Sequence, residues 1–204
     1  MLTRIHPLLQ FSFFKQCEFS LNTKGKNLYI SFDDGPIPEV TPEVLELLDE
    51  YDAKATFFCV GENVEKHPEI FDEILKRGHS VGNHTYHHIK GWNTNDEEYY
   101  NDIEKANKLI KSNLFRPPYG RITPKQHYHL KKSYRIILWS VLSYDYNKML
   151  TKQRVWRNVR NSVTNNDIIL FHDSIKSKRN TLYALRNTLF YFSAKGYKFL
   201  PIPY

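Results

Sequence analysis

Residues 27–36 read NLYISFDDGP. The first six combine β-branched, aromatic and apolar side chains in a run too short for a helix, and they read as a strand. The run stops at two adjacent carboxylates, Asp33 and Asp34, and Gly35-Pro36 turns the chain. Thr41-Pro42 then supplies a helix cap and a first-turn proline. Val44, Leu47, Leu48 and Tyr51 follow at the spacing of one helical face. A strand that ends in charge and returns through a helix is the unit of a parallel α/β domain.

The unit recurs outward along the chain. KATFFCV is a second strand, and His67-Pro68 opens a helix with Ile70, Phe71, Ile74 and Leu75 inward and Gly78 at its end. HSV is a short strand before a histidine-rich loop. Thr94 and Glu97 form a capping-box pattern for a helix whose face is Tyr99, Ile103, Ala106 and Ile110. LFRPPYG reads as a strand end and turn, and 124–132 as a helix. RIILWSV is a strand, and Thr151 to Val163 is helical by the spacing of Val155 and Val159. DIILFH, a helix faced by Leu182, Leu185, Leu189 and Phe192, and YKFLPI close the series. Six or seven such units imply a parallel sheet with right-handed crossovers, either open and doubly wound or closed as a barrel. No repeat or linker divides the chain, so 204 residues read as one domain, with 1–26 as an N-terminal arm and 27–204 as the functional unit.

Hydrophobic content of 41% and charged content of 25% exclude a disordered chain. The net charge of +7 comes from scattered Lys and Arg without a dense basic run, so solubility explains it and nucleic acid is not an expected partner. Cys17 and Cys59 make neither a metal-like pair nor a disulfide framework. The N-terminal apolar stretch is interrupted by Gln10 and Ser12 and lacks a small-residue cleavage site, and no run reaches the length of a membrane span. These features fit a cytoplasmic or a peripherally envelope-associated protein equally.

Polar clusters follow the strand-like runs: Asp33-Asp34, His84 to His88, Arg116 to Tyr119, Asp145 and His172. In parallel α/β folds the carboxyl ends of the strands share one face, so these five converge. His84 and His88 are four apart and share a face of a helical turn, while His87 points elsewhere. That spacing alone also fits histidines that cap turns or face solvent. With one carboxylate of the Asp33-Asp34 pair it makes a His-His-Asp set suited to a divalent metal, and the other carboxylate is then placed to act as general base.

SFDDGP, HTYHH, RPPYG, WSVLSYDY and LFH, in this order, resemble the five motifs of the polysaccharide deacetylase family (carbohydrate esterase family 4). The resemblance implies a distorted (β/α) barrel of about seven parallel strands and removal of N-acetyl groups from a glycan, with release of acetate. It implies Asp33 as catalytic base, and Asp34, His84 and His88 as ligands of one divalent ion. Zn²⁺ comes first for that ion, with Co²⁺, Mn²⁺ or Ni²⁺ as substitutes. Thr85 fits the hydroxyl position beside the first histidine. The resemblance further implies Arg116 as the residue orienting the base and the backbone N–H of Tyr119 as an oxyanion donor. The resemblance likewise implies Leu170 lining the acetyl pocket and His172 as the general acid, paired with Asp145.

The fourth motif departs from the family's D-x-x-D-W: Leu142 replaces its first acid and Tyr146 its tryptophan, while Asp145 is retained. Tyr146 and Trp92 are candidate sugar-stacking residues, Trp139 is read as core before sugar contact, and Asp173 as structural. Peptidoglycan, a chitooligosaccharide or another envelope glycan would be the substrate. The competing readings are a glycan-binding protein without turnover and a hydrolase of another amide or ester.

Overall fold

The register between the strands Asn27–Asp33 (β1) and Ile168–His172 (β7) sets Asp33 directly beside His172. These are features of a computed structural model that describes residues 3–4 and 17–204. The other strands are β2 (Ala55–Cys59), β3 (Ser80–Asn83), β4 (Leu114–Phe115), β5 (Arg135–Ile136), β6 (Val141–Leu142) and β8 (Lys198–Phe199). All pair in parallel, in the order β5-β4-β3-β2-β1-β7-β6, with β8 beside one end of β1. The sheet curls into a half-barrel flanked by helices, the distorted (β/α) barrel of a single domain.

The connecting helices are α1 (Thr41–Asp49), α2 (Gly61–Lys66), α3 (Pro68–Lys76), α4 (Asp96–Ile110), α5 (Pro124–Leu130), α6 (Lys152–Ser162) and α7 (Lys178–Ser193). Their apolar faces pack on the sheet: Val44, Leu45 and Leu48 of α1, and Ala184, Leu185 and Leu189 of α7, are fully buried. Every residue of β1 is buried, which is why its hydrophobic run shows no alternation. Phe32 stacks on Phe57 at 5.0 Å and on Phe171 at 6.0 Å. Burying each such ring contributes about 1.5–3 kcal/mol, so β1 and β7, whose ends carry Asp33 and His172, are anchored with β2 in the core.

Several local expectations are corrected. Thr41 is not the cap of α1: its hydroxyl accepts the Ile37 N–H and donates to Asp173, and no side chain caps that helix. The cap of α4 is Asn95, accepting from the Glu98 N–H, one residue beyond the Thr94/Glu97 pattern. Leu75 is exposed, and α2 has no counterpart in the sequence reading because Val64 is its one buried large apolar residue. RIILWSV is not one strand. It pairs at its two ends as β5 and β6, and between them the carbonyls of Ile137 and Leu138 accept from the buried Arg116 guanidinium.

The described part of the arm lies along that break. Glu18 bridges Ile137, Ser20 bridges Asp167 and Arg4 bridges Val141. The rest of the arm, 1–2 and 5–16, including most of the apolar stretch read for an export signal and His6, lies outside the described residues. Among the described residues, no helix is long and apolar enough to cross a membrane.

Candidate active site

The five sequence clusters meet at the carboxyl ends of the strands. Asp33 ends β1, His84 follows β3, Arg116 follows β4, Asp145 follows β6 and His172 ends β7. The backbone around them is bent in ways that side chains rarely adopt: φ is +89° at Asp34, +55° at His88 and +61° at Tyr119. Left-handed conformations at non-glycine residues persist where the surroundings over-determine them, and they gather at functional sites.

Asp33 is buried, and its Oδ1 accepts from Arg116 Nη1 at 2.7 Å. The same guanidinium donates to Ser31 Oγ, Ile137 O and Leu138 O, so four acceptors surround a fully buried cation. Its carbon lies 3.9 Å above the Phe58 ring. Burial pushes the Asp33 pKa up, opposed by the positive charges of Arg116 and His172. Burial likewise draws Arg116 down from its ordinary value, but guanidinium is basic enough to stay charged.

One nitrogen each of His84 and His88 and one carboxylate oxygen of Asp34 lie within 4.8 Å of one another. His84 Nδ1 stands 2.7 Å from the Arg116 carbonyl oxygen, so its N–H is placed there and its Nε2 lone pair faces the acids. Burial holds His84 well below 6.5 and lowers His88 as well, keeping both imidazoles neutral, as ligands must be. Burial works against the Asp34 carboxylate too, yet the positive charge around it, His172 first and Lys176 with it, holds it below its usual range. Two neutral imidazoles and one ionised carboxylate at this spacing fit a divalent transition metal. The histidines sit on a loop after β3 rather than on the helical turn their spacing suggested. His87 does point elsewhere, with Nδ1 on Asp102.

Asp145, fully buried, accepts the His172 Nδ1–H at 2.8 Å and the His172 backbone N–H at 2.7 Å. It also accepts from the Tyr146 N–H and the Thr181 hydroxyl. Burial disfavours a charged His172, but the Asp145 carboxylate overrides it, helped by Asp34 and Asp33, and raises the pKa to about 9.

These groups open into a cleft of ≈ 360 Å³ that Leu170, Leu142, Trp139, Tyr146 and Tyr119 also line. The ring of Tyr119 packs 4.9 Å from His88, and that of Tyr146 edges onto His172 at 5.1 Å. Trp92 does not line the cleft, although Arg121, which does, covers its ring. A wider depression of ≈ 510 Å³ beside α4, lined by His87, Asp102 and Lys105 among others, gathers no comparable set of groups.

Sequence reasoning missed two supports, Asp102 and Ser31, while the third, Asp173, has the structural role read for it. Asp102 accepts the N–H groups of Tyr86 and His87 and so shapes the histidine loop. Ser31 braces Arg116, and Asp173 accepts from the Gly35 N–H at 2.9 Å and from Thr41. Burial and the nearby Asp34 push Asp173 up to about 8, against the hydrogen bonds it accepts. An acid on a helix face and a serine inside a strand carry no pattern of their own.

The sequence profile of the polysaccharide deacetylase family matches residues 20–134. A peptidoglycan-N-acetylglucosamine deacetylase of Bacillus cereus is 36% identical over 192 residues, covering 87% of this chain and 86% of its own. A chitooligosaccharide deacetylase of Azorhizobium caulinodans is 31% identical, covering 87% of this chain and 93% of its own. A crystal structure of the Bc1960 peptidoglycan N-acetylglucosamine deacetylase, in complex with 4-naphthalen-1-yl-N-oxidanyl-benzamide, superposes with a TM-score of 0.86 at 32% identity. It covers 92% of this chain and 91% of that one. With five motif clusters gathered in one cleft and relatives alike along nearly the whole length, the chain belongs to the polysaccharide deacetylase family.

Proposed function

We propose that this chain is a divalent-metal-dependent hydrolase that removes N-acetyl groups from an N-acetylated glycan and releases acetate. One observation carries the reading: the β1–β7 register sets a buried acid, Asp33, next to a charged histidine, His172, beside a His-His-Asp donor set. A proton acceptor and a proton donor on either side of one reacting amide are what amide hydrolysis needs. Peptidoglycan and chitooligosaccharide are the substrates named for the relatives, and both carry N-acetyl sugars.

Asp34, His84 and His88 would hold the ion, with Zn²⁺ the best match to the donors. When bound, the ion supplies Lewis acidity toward water and the amide carbonyl. Asp33, oriented by Arg116, takes the proton of the attacking water as its oxygen bonds to the carbonyl carbon. The Tyr119 N–H hydrogen-bonds the developing oxyanion. His172 has Nδ1 committed to Asp145, so Nε2–H is the proton it gives to the amide nitrogen as the C–N bond breaks. Acetate and a free amino sugar leave. Leu170 walls the acetyl side and Tyr146 offers a ring to a sugar face.

The test is acetate release from N-acetylglucosamine oligomers and from glycan strands by metal-loaded protein. Asp33→Asn is expected to stop release while metal stays bound. Full activity in that variant removes Asp33 as the base. Leu142, lining the cleft in place of the family's acid, favours a second reading, glycan binding without turnover. Binding of oligosaccharide with no acetate from a broad panel establishes it.

A further inference from the structure

Beyond the reacting groups, three cations, Lys90, Arg121 and Lys176, line the cleft, and among the described residues no carboxylate other than Asp33 and Asp34 does. Those two acids are already engaged, Asp33 by Arg116 and Asp34 by His88, with Lys176 Nζ standing 3.9 Å from Asp34. Lys90 and Arg121 have no carboxylate partner among the described residues. Elsewhere this chain pairs surface cations with carboxylates: Arg77 with Asp49, Lys178 with Glu43 and Arg186 with Glu50. Both rim cations lie over aromatic faces instead. Lys90 Nζ is 4.6 Å from the Tyr119 ring centre, and Arg121 is 5.2 Å from that of Trp92. A ring face holds a cation in place without neutralising it.

We propose that Lys90, Arg121 and Lys176 select N-acetylated glycans whose sugars flanking the reacting one bear carboxylates. The inference rests on the deacetylase reading and names its substrate class. A neutral N-acetyl sugar offers these cations only hydroxyl and amide oxygens. A carboxylate offers charge-assisted hydrogen bonds in a walled cleft, where the field is less screened than on open surface. The same charge opposes the product, since an amino sugar is cationic near neutral pH. A strand already deacetylated next to the cleft is therefore held less well. Two chemistries supply the carboxylate, a uronic acid ring or an ether-linked lactyl arm, and the probes separate them.

The experiment measures binding and acetate release by metal-loaded protein on four probes. They are a neutral N-acetylglucosamine oligomer, strands alternating N-acetylglucosamine with its lactyl ether, those strands with every carboxylate converted to methylamide, and an oligomer alternating N-acetylglucosamine with a uronic acid. At low salt an acid-bearing strand is expected to bind about fivefold more tightly than its neutral counterpart, and at about 0.5 M salt the ratio falls toward one. Whether the lactyl or the uronic strand shows the preference tells which source fits. Lys90→Gln with Arg121→Gln lowers the low-salt ratio to below about twofold with the melting temperature unchanged. Equal binding of intact and methylamide strands, alongside equal binding of the uronic and neutral oligomers, overturns the proposal, as does an undiminished ratio in the double variant. Absence of acetate from every probe sinks the deacetylase reading instead, and the binding ratio still decides the rim.

Discussion

His84 Nδ1 lies 2.7 Å from the backbone carbonyl oxygen of Arg116. The side chain of the same arginine reaches Asp33 Oδ1 at 2.7 Å. One residue after β4 thus orients a candidate metal ligand through its main chain and the candidate base through its guanidinium. Substitution separates the two roles, because the carbonyl survives any change of side chain.

Arg116→Met is therefore expected to retain one bound metal per folded chain while acetate release falls by about 100-fold or more. Leaving Asp33 buried without its partner costs about 3–5 kcal/mol. Thermal unfolding with metal analysis of the folded fraction checks both, and wild-type melting would contradict the buried pair.

The pH dependence follows from His172. Its folded pKa, about 9, lies above the ordinary 6.5, so the ion pair with Asp145 contributes full stability below about 6.5 and loses it as pH rises through about 9. Acetate release is expected to fall along the same alkaline limb, while Asp33, pushed up by burial, places the acid limb above the usual carboxylate range. Asp145→Asn removes the main raising charge and moves the alkaline limb from near 9 toward 6.5 or lower. An unmoved limb in the pH–rate profile excludes His172 as the acid.

Metal dependence separates the histidines. Chelation is expected to abolish acetate release and Zn²⁺ to restore it. His84→Ala and His88→Ala lose stoichiometric metal, whereas His87→Ala, whose ring is tied to Asp102 outside the donor set, keeps it. Elemental analysis after dialysis distinguishes them, and equal loss in all three variants refutes the assignment.

Gly35 is the tightest backbone approach in the site. A Cβ there would stand 2.0 Å from Asp173 Oδ2, and the Gly35 N–H bond to Asp173 would have to break. Gly35→Ala is expected to cost about 3 kcal/mol and to lower activity through the displaced Asp33-Asp34 turn. Chemical denaturation measures it; a cost within about 0.5 kcal/mol means that the turn is not held as described.

Much of this arrangement is written in local sequence. β1, β2 and β7 are short, largely apolar runs, α4 buries all four residues its periodicity marks, and α7 buries Leu185, Leu189 and Phe192 while Leu182 is half-buried. Such elements are legible because burial of a strand or a helix face imposes its own period. The observed cap falls one residue later, at Asn95, because TNDEE (94–98) supplies two overlapping capping patterns. RIILWSV misled for another reason: its middle is apolar enough for a strand, but its carbonyls are claimed by the arginine that follows β4.

The sequence by itself determined the α/β class, the order of the elements and the five clusters at strand ends, since each depends on residues adjacent in the chain. Only the tertiary structure decided that Asp33 lies beside His172 and that Arg116 closes the gap between β5 and β6. It also decided that Asp173 and Asp102 hold the two turns. Those contacts join residues far apart in sequence, and register, burial and charge pairing across strands have no signature until the chain has folded.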